Sequence, residues 1–233
     1  MTFRPTLWAT IAAGLALLVL IGLGTWQLDR RAWKLEIIEN RAQRISTPAL
    51  AFAEIGDIEA TEYRPVQVAG RYQVDRTIKL LSRTHEGRAG FHLITPFETD
   101  PANGIVMVDR GWAPVGDDAA IAPAPAGRLA IDGFVRRYEI PGGFTPDNDL
   151  AEGTWFYLDR DQLASALDLA VLAPFYVQLA PREGSSGVYP QGGVPNVALR
   201  NPHLQYAVTW YALAGVLLVI YVIFHTRRRV GED

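Results

Sequence analysis

The chain has 233 residues, 49% of them hydrophobic and 20% charged, with a formal net charge of −3, which suggests one domain of ordinary size. It contains no cysteine. That excludes a disulfide framework, a thiolate nucleophile, Cys-ligated zinc or iron–sulfur clusters and any dithiol carrier, and leaves metal or haem ligation to His or Tyr. The mean hydropathy of +0.06 averages unlike parts, because long apolar runs lie near both ends of a moderately polar chain.

The first run, Leu7 to Leu23, carries no charge over 17 residues; extended to Trp26 it makes 20, about 30 Å of helix, enough to span a bilayer core. Arg4 precedes it as a short basic region, but Thr25, Trp26 and Gln27 stand where a signal peptidase would need small residues, so the run reads as an uncleaved signal anchor. Trp26, Arg30, Trp33, Ile37 and Arg41 recur at helical intervals, which predicts a helical stalk to about Arg44, stopped by Thr47 and Pro48.

Period-two runs then predict strands around Val66 to Val74, Ile78 and Leu80, Phe91 to Phe97, Ile105 to Val108 and Leu129 to Val135. Turn-rich stretches at 84–90, 100–104 and 114–127 separate them, and such short links favour antiparallel pairing. Asp159 and Gln162 have capping-box spacing before Leu163, Ala166 and Leu167, which predicts one helix; a last strand, Phe175 to Leu179, follows it. The Gly/Pro-rich segment from Pro181 to Pro202 is expected to lack regular structure, with Tyr189 packed on the domain. The second apolar run, Tyr206 to Phe224, has 19 uncharged residues, Trp210 and Tyr211 in its first turns, and His225 with Arg227, Arg228 and Arg229 beyond it.

The expected fold is therefore a membrane-anchored α+β protein, two transmembrane helices flanking a mainly antiparallel β domain with one or two helices. The expected segments are an N-terminal tail (1–6), a first span (7–26), the domain (27–202), a second span (203–224) and a basic tail (225–233). Arg4 and the tail arginines favour cytoplasmic termini, yet Arg30, Arg31, Lys34, Arg41 and Arg44 crowd the far end of the first span, so charge alone nearly balances. Between the tails, 18 basic face 23 acidic residues, a net of −5, which argues against nucleic acid as a partner.

Candidate chemistry is sparse. No serine lies in a Gly-x-Ser-x-Gly elbow, and no phosphate-cradling glycine loop is present. The pairs Asp117–Asp118 and Asp147–Asp149 sit in turn-rich sequence, where Asp caps and solvates. The four histidines, at 85, 92, 203 and 225, are not at metal-cluster spacing. His225 reads as part of the basic flank, and His92 faces away from Phe91 and Leu93. His203 follows Pro202, a common first helical residue, which puts its imidazole in a first turn at the membrane boundary with Tyr206, Ala207 and Trp210 one and two turns on. Such a site suits a haem, with imidazole for iron, aromatic rings against the macrocycle and arginines for propionates. An interfacial belt of amphipathic Trp, Tyr and His is the commoner arrangement and accounts for the same residues.

Gly24, Thr25, Trp26, Gln27, Arg30, Trp33 and Lys34 resemble the opening signature of the surfeit locus protein 1 family, assembly factors for haem-copper cytochrome c oxidase. Further blocks resemble it in order: Tyr63 to Val66 leading to Gly70; Gly90, Phe91, His92, Ile94, Thr95, Pro96 and Phe97; Val108 to Trp112 with Pro114; Phe144, Pro146, Asn148, Trp155 and Phe156; and Asn201, His203, Leu204, Gln205, Tyr206, Thr209, Trp210 and Tyr211. The resemblance implies an inner-membrane protein, multi-pass, with its domain on the periplasmic or intermembrane side; without a basic amphipathic segment before Leu7, the bacterial cytoplasmic membrane is the expected setting.

The resemblance also implies a non-enzymatic role with no catalytic residues: holding haem A and helping deliver it to oxidase subunit I, with haem A synthase as a further partner. His203 would be the iron ligand, Tyr206 and Trp210 the ring contacts, and Arg200 or Arg30 the propionate partners. The alternative is a scaffold that stabilises an oxidase intermediate and binds no haem. The Arg110-Gly111-Trp112 block reads physically as a strand end, in which Gly turns, Trp buries and Arg caps, with partner docking as the other reading. Thr95, Pro96 and Phe97 likewise read as a strand end.

Overall fold

A computed structural model describes residues 3, 5–99, 104–117, 120–181, 188–193 and 199–226. The chain divides into two compact units, residues 1–40 with 197–233, and residues 41–196. The Asp118, Arg4 and tail-arginine expectations lie outside the described residues.

In the first unit, α1 (Leu7–Ile45) is a single 39-residue helix and α4 (His203–Thr226) a 24-residue one. Both contain stretches long and apolar enough to cross a membrane, and the protein is membrane-anchored. Most of their large apolar side chains are exposed, among them Leu15, Leu18, Val216 and Ile220, as lipid-facing residues must be. α1 is continuous through the predicted junction at Trp26 and ends at Ile45, where Thr47 Oγ1 donates to the Arg44 carbonyl ahead of Pro48.

The second unit is built on seven strands: β1 (Leu50–Ala51), β2 (Pro65–Tyr72), β3 (Ile78–His85), β4 (Arg88–Thr99), β5 (Ile105–Pro114), β6 (Leu129–Arg136) and β7 (Leu172–Leu179). Two short helices, α2 (Ile58–Thr61) and α3 (Arg160–Ala166), complete it. The sheet order is β1-β2-β6-β7-β5-β4-β3, and β2 also pairs with β4, so β2, β6, β7, β5 and β4 close into a ring. Inside it pack Val66 and Val68 from β2, Phe97 from β4, Val106 and Val108 from β5, Ile131 and Val135 from β6, and Phe175 and Val177 from β7. These are the alternate positions of each strand, which is how a period of two becomes a core. A second cluster, with Trp155, Leu158 and Leu163, covers Ile94, Met107 and Tyr176 on the opposite face.

Closure depends on Gly70. It faces Thr99 across the β2–β4 pair, and a Cβ there would overlap the Glu98 carbonyl and the Phe97 ring. A neighbouring cross-strand pair, Arg71 to Glu98 at 2.9 Å, holds the Glu98 carboxyl below the usual carboxylate range through its hydrogen bond and charge.

Several details depart from the pattern read in sequence. β3 and β4 run into the stretch expected to be a turn at 84–90, leaving only Glu86 and Gly87 at φ +50° and +77°, the two left-handed residues of a tight hairpin. Pro96 is not at a strand end but inside β4. It sits where β3 pairing stops, at Ile94, and β2 pairing starts, at Phe97, so its missing N–H removes no ladder bond there. Arg110, Gly111 and Trp112 likewise lie within β5, which continues to Pro114. Most pairings are antiparallel, but β1–β2 is parallel, and so is β5–β7, because the connection through α3 inserts β7 between β6 and β5. Asp159 caps α3 as expected, accepting from Gln162 N at 2.9 Å, while the Gln162 side chain turns to Asn148 rather than completing a box.

Gly70→Ala should lower stability by about 2 kcal/mol, a fall of roughly 4–8 °C in Tm for a domain of this size. Thermal unfolding of the full chain in detergent measures it; an unchanged midpoint would mean that closure does not depend on the missing Cβ.

Candidate functional site

In the first unit the two signature-bearing helices meet along a seam. Gly24 is buried, and a Cβ on it would stand 2.8 Å from the Tyr211 ring, so glycine is what admits the aromatic ring between the helices. Thr25 Oγ1 and Tyr211 Oη share a hydrogen bond at 3.2 Å. Gln27 Oε1 lies 2.6 Å from His203 Nδ1, the Arg31 carbonyl accepts from Asn201 Nδ2 at 3.3 Å, and Lys34 Nζ donates to the Arg200 carbonyl at 2.7 Å. Positions 24, 27, 31 and 34 alternate three and four residues apart, the spacing of one face of a packed helix. On α4 the buried positions are Ala207, Ala214 and His225, small residues at the upper two levels letting the backbones approach. At the far end His225 is held on both nitrogens: Nδ1 donates to the Tyr221 carbonyl at 2.8 Å, and Thr6 Oγ1 lies 3.3 Å from Nε2.

The sequence-derived site residues fall in this unit as follows. His203 is the first residue of α4 and half-buried. Because an amide oxygen only accepts, the Nδ1 that faces Gln27 bears the proton, and in the neutral ring the lone pair is then on Nε2. Tyr206 is exposed and Trp210 half-buried, at three and seven residues from His203 on the same side of the helix. Arg200 is exposed, its carbonyl bound by Lys34. The Arg30 guanidinium stacks on the Trp33 ring of its own helix, 4.5 Å from the centroid. Trp26 and Trp33 are each about half exposed.

The signature blocks in the second unit serve its architecture. Trp112 and Arg110 are buried, at 4% and 8% exposure, which removes them as exposed docking anchors. Gly111 adopts φ +121°, and a Cβ on it would overlap the Gln191 backbone. That contact lets Trp112 exchange two backbone hydrogen bonds with Gln191, at 2.8 and 2.9 Å, while Tyr189 packs edge-on against the indole as the sequence suggested. Arg110 donates to the Ala122 carbonyl. Asn148 ties its loop to Phe156 and Tyr157 through both ends of its amide, and Trp155 is buried.

Sequence reading missed the partner of His92. Its Nδ1 donates to the buried Asp109 carboxylate at 2.8 Å, and the same carboxylate accepts from Gly111 N at 2.9 Å. No spacing rule signals a pair that only the β4–β5 register brings together. Burial pushes the Tyr138 and Tyr176 hydroxyls well above the ordinary phenol range, away from neutral-pH acid–base chemistry. A cleft of this unit, about 540 Å³, is lined by Tyr72, Arg110, Asp132, Tyr189 and several prolines, and contains none of His203, Tyr206, Trp210 and Arg200. Among the described residues no cluster of three His, Cys, Asp or Glu side chains offers a metal site.

Two long apolar helices that flank a β-rich domain in the chain define a class of membrane-anchored α+β proteins. Within that class the chain belongs to the SURF1 family, whose family model matches residues 14–215. It is 31% identical to the SURF1-like protein of Monosiga brevicollis, over 92% of this chain and 85% of that one. It is 33% identical to the SURF1-like protein of Rickettsia felis, over 91% and 93%. It is also 31% identical to Surfeit locus protein 1 of Homo sapiens, over 83% and 70%.

Gly24→Val should overpack the seam at Tyr211 and destabilise the helix pair by roughly 1–3 kcal/mol. A drop in the thermal midpoint of the full chain in detergent is expected, with Gly22→Val, which has open space around it, as the control that stays unchanged.

Proposed function

We propose that this protein is a non-enzymatic assembly factor for haem-copper cytochrome c oxidase that carries haem A toward subunit I, with His203 as the iron ligand. The observation that carries the reading is the state of that imidazole. In the helix pair where the first and last signature blocks meet, His203 Nδ1 faces Gln27 Oε1 at 2.6 Å, and Nε2 has no hydrogen-bond partner among the described residues. A neutral imidazole with one nitrogen hydrogen-bonded and the other open is the donor that a haem iron takes.

The iron supplies the Lewis-acid centre that an imidazole nitrogen holds. The chain supplies the rest. Tyr206 and Trp210, on the His203 side of α4, offer flat apolar surface for a macrocycle, and Trp26 and Trp33 offer more on α1. Arg200 presents an exposed guanidinium to a propionate, a stronger candidate than Arg30, which is occupied by its stack on Trp33. Delivery needs no covalent step by this chain, which fits a domain whose signature residues are spent on packing. The same reading places the protein in the bacterial cytoplasmic membrane with the domain on the periplasmic side and haem A synthase as a further partner; the two apolar helices and the family support a membrane setting.

A scaffold reading, without haem, draws on the same seam: Gln27–His203 is also one of five described contacts that join α1, between Gly24 and Lys34, to α4 and the residues that lead into it. His203 separates the two. Co-expressed with haem A synthesis and purified in detergent, the wild type should show a haem A spectrum, and His203→Ala should lose most of its haem while still co-purifying with subunit I. A His203→Ala protein with the wild-type Soret band and stoichiometry would refute the ligand assignment.

A further inference from the structure

We propose that Gln27 is a positioning residue for His203: its side-chain carbonyl selects the tautomer that leaves Nε2 free and holds the ring so that Nε2 points out of the helix seam. This rests on the carrier reading above, and it assigns to α1 half of a site whose ligand is on α4.

A neutral imidazole has two tautomers, and in the one protonated at Nε2 that nitrogen has no lone pair for a metal. A half-buried histidine in the first turn of a helix is not held to either by its own backbone. The Gln27 oxygen decides, because 2.6 Å from Nδ1 it accepts only if Nδ1 bears the proton. The position of that oxygen is fixed from both sides. Three residues before Gln27, Gly24 receives the Tyr211 ring. Four and seven residues after it, Arg31 and Lys34 bond Asn201 and the Arg200 carbonyl. The amide is thus bracketed within one and two helical turns, and the segment that leads into His203 is tied down on the same face. An outer hydrogen bond that orients a ligating histidine is a general requirement of metal sites, and here it comes from the opposite helix.

Helix pairing alone asks of position 27 only that it pack and bond across the seam, so a purely structural role predicts that Gln27→Leu lowers the stability of the pair and leaves the imidazole tautomer and the haem potential unchanged. The positioning role predicts otherwise in two independent readouts. In the haem-free full chain, with histidine labelled by ¹⁵N and His203 assigned by difference from His203→Ala, the imidazole nitrogens should report the Nδ1-protonated form. Gln27→Leu should shift them toward a mixture of tautomers, and Gln27→Glu, which keeps an acceptor, should restore the single form. In the haem-loaded protein Gln27→Leu should weaken haem retention by about 10–100-fold. The reduction potential should rise with Gln27→Leu and fall with Gln27→Glu, because the acceptor sets how much electron density the imidazole gives to iron.

Wild-type nitrogen shifts in both Gln27 variants would overturn the positioning role, whatever the haem content. Haem binding that survives His203→Ala would instead overturn the carrier reading, and the tautomer measurement on the haem-free chain would still decide what Gln27 does to the ring.

Discussion

The approach of α1 and α4 at Gly24 is the constraint from which the rest of the membrane unit follows. In lipid, apolar surface gives helices no reason to prefer each other over acyl chains, so association has to come from close packing and hydrogen bonds. Gly24 supplies the first by leaving space for Tyr211, and Thr25, Gln27, Arg31 and Lys34 supply the second within ten residues. With that register set, Gln27 and His203 stand opposite each other; one residue's displacement of either helix would turn one of them out of the seam, about 100° around its axis.

The second unit solves a different problem by similar means. A sheet of seven strands has edges to protect, and β2 answers by pairing with three strands, β6 along its length and β1 and β4 at its two ends. Gly70 and Gly111 are two of the places where another backbone comes too close for a side chain, Glu98 at the first and Gln191 at the second. The second contact converts a Gly/Pro-rich return segment, with little propensity for regular structure, into part of the domain: Trp112 and Tyr189 clasp it through backbone bonds and ring packing.

Much of this was legible in sequence, wherever the signal is local. The two long apolar helices were visible because an uncharged apolar run of 17 or more residues matches the thickness of a bilayer core and exceeds what most buried helices need. β2 was visible because its buried positions alternate. The cap at Asp159 was legible because it joins residues three apart. What was hidden depends on partners distant in the chain. Pro96 looked like a strand end because its exemption from hydrogen bonding comes from the handover between β3 and β2. The parallel β5–β7 pair follows from insertion of β7, which no local pattern encodes. At the candidate site His203 stood out by its position before an apolar run, while Gln27 lay unremarked inside a signature, and so did Asp109 beside His92. Each matters only through a residue more than a dozen positions away.

The central claim is that one histidine of four holds the haem, and the most direct measurement leaves only that one. In a full-length variant with His85, His92 and His225 all replaced by Gln, which retains an amide donor for Asp109 at position 92 and for the Tyr221 carbonyl at 225, haem A would be titrated in detergent and followed by absorbance. The account predicts the wild-type spectrum and one haem per chain with His203 as the sole histidine. Loss of the haem spectrum in a variant that still unfolds cooperatively at the wild-type temperature would contradict it.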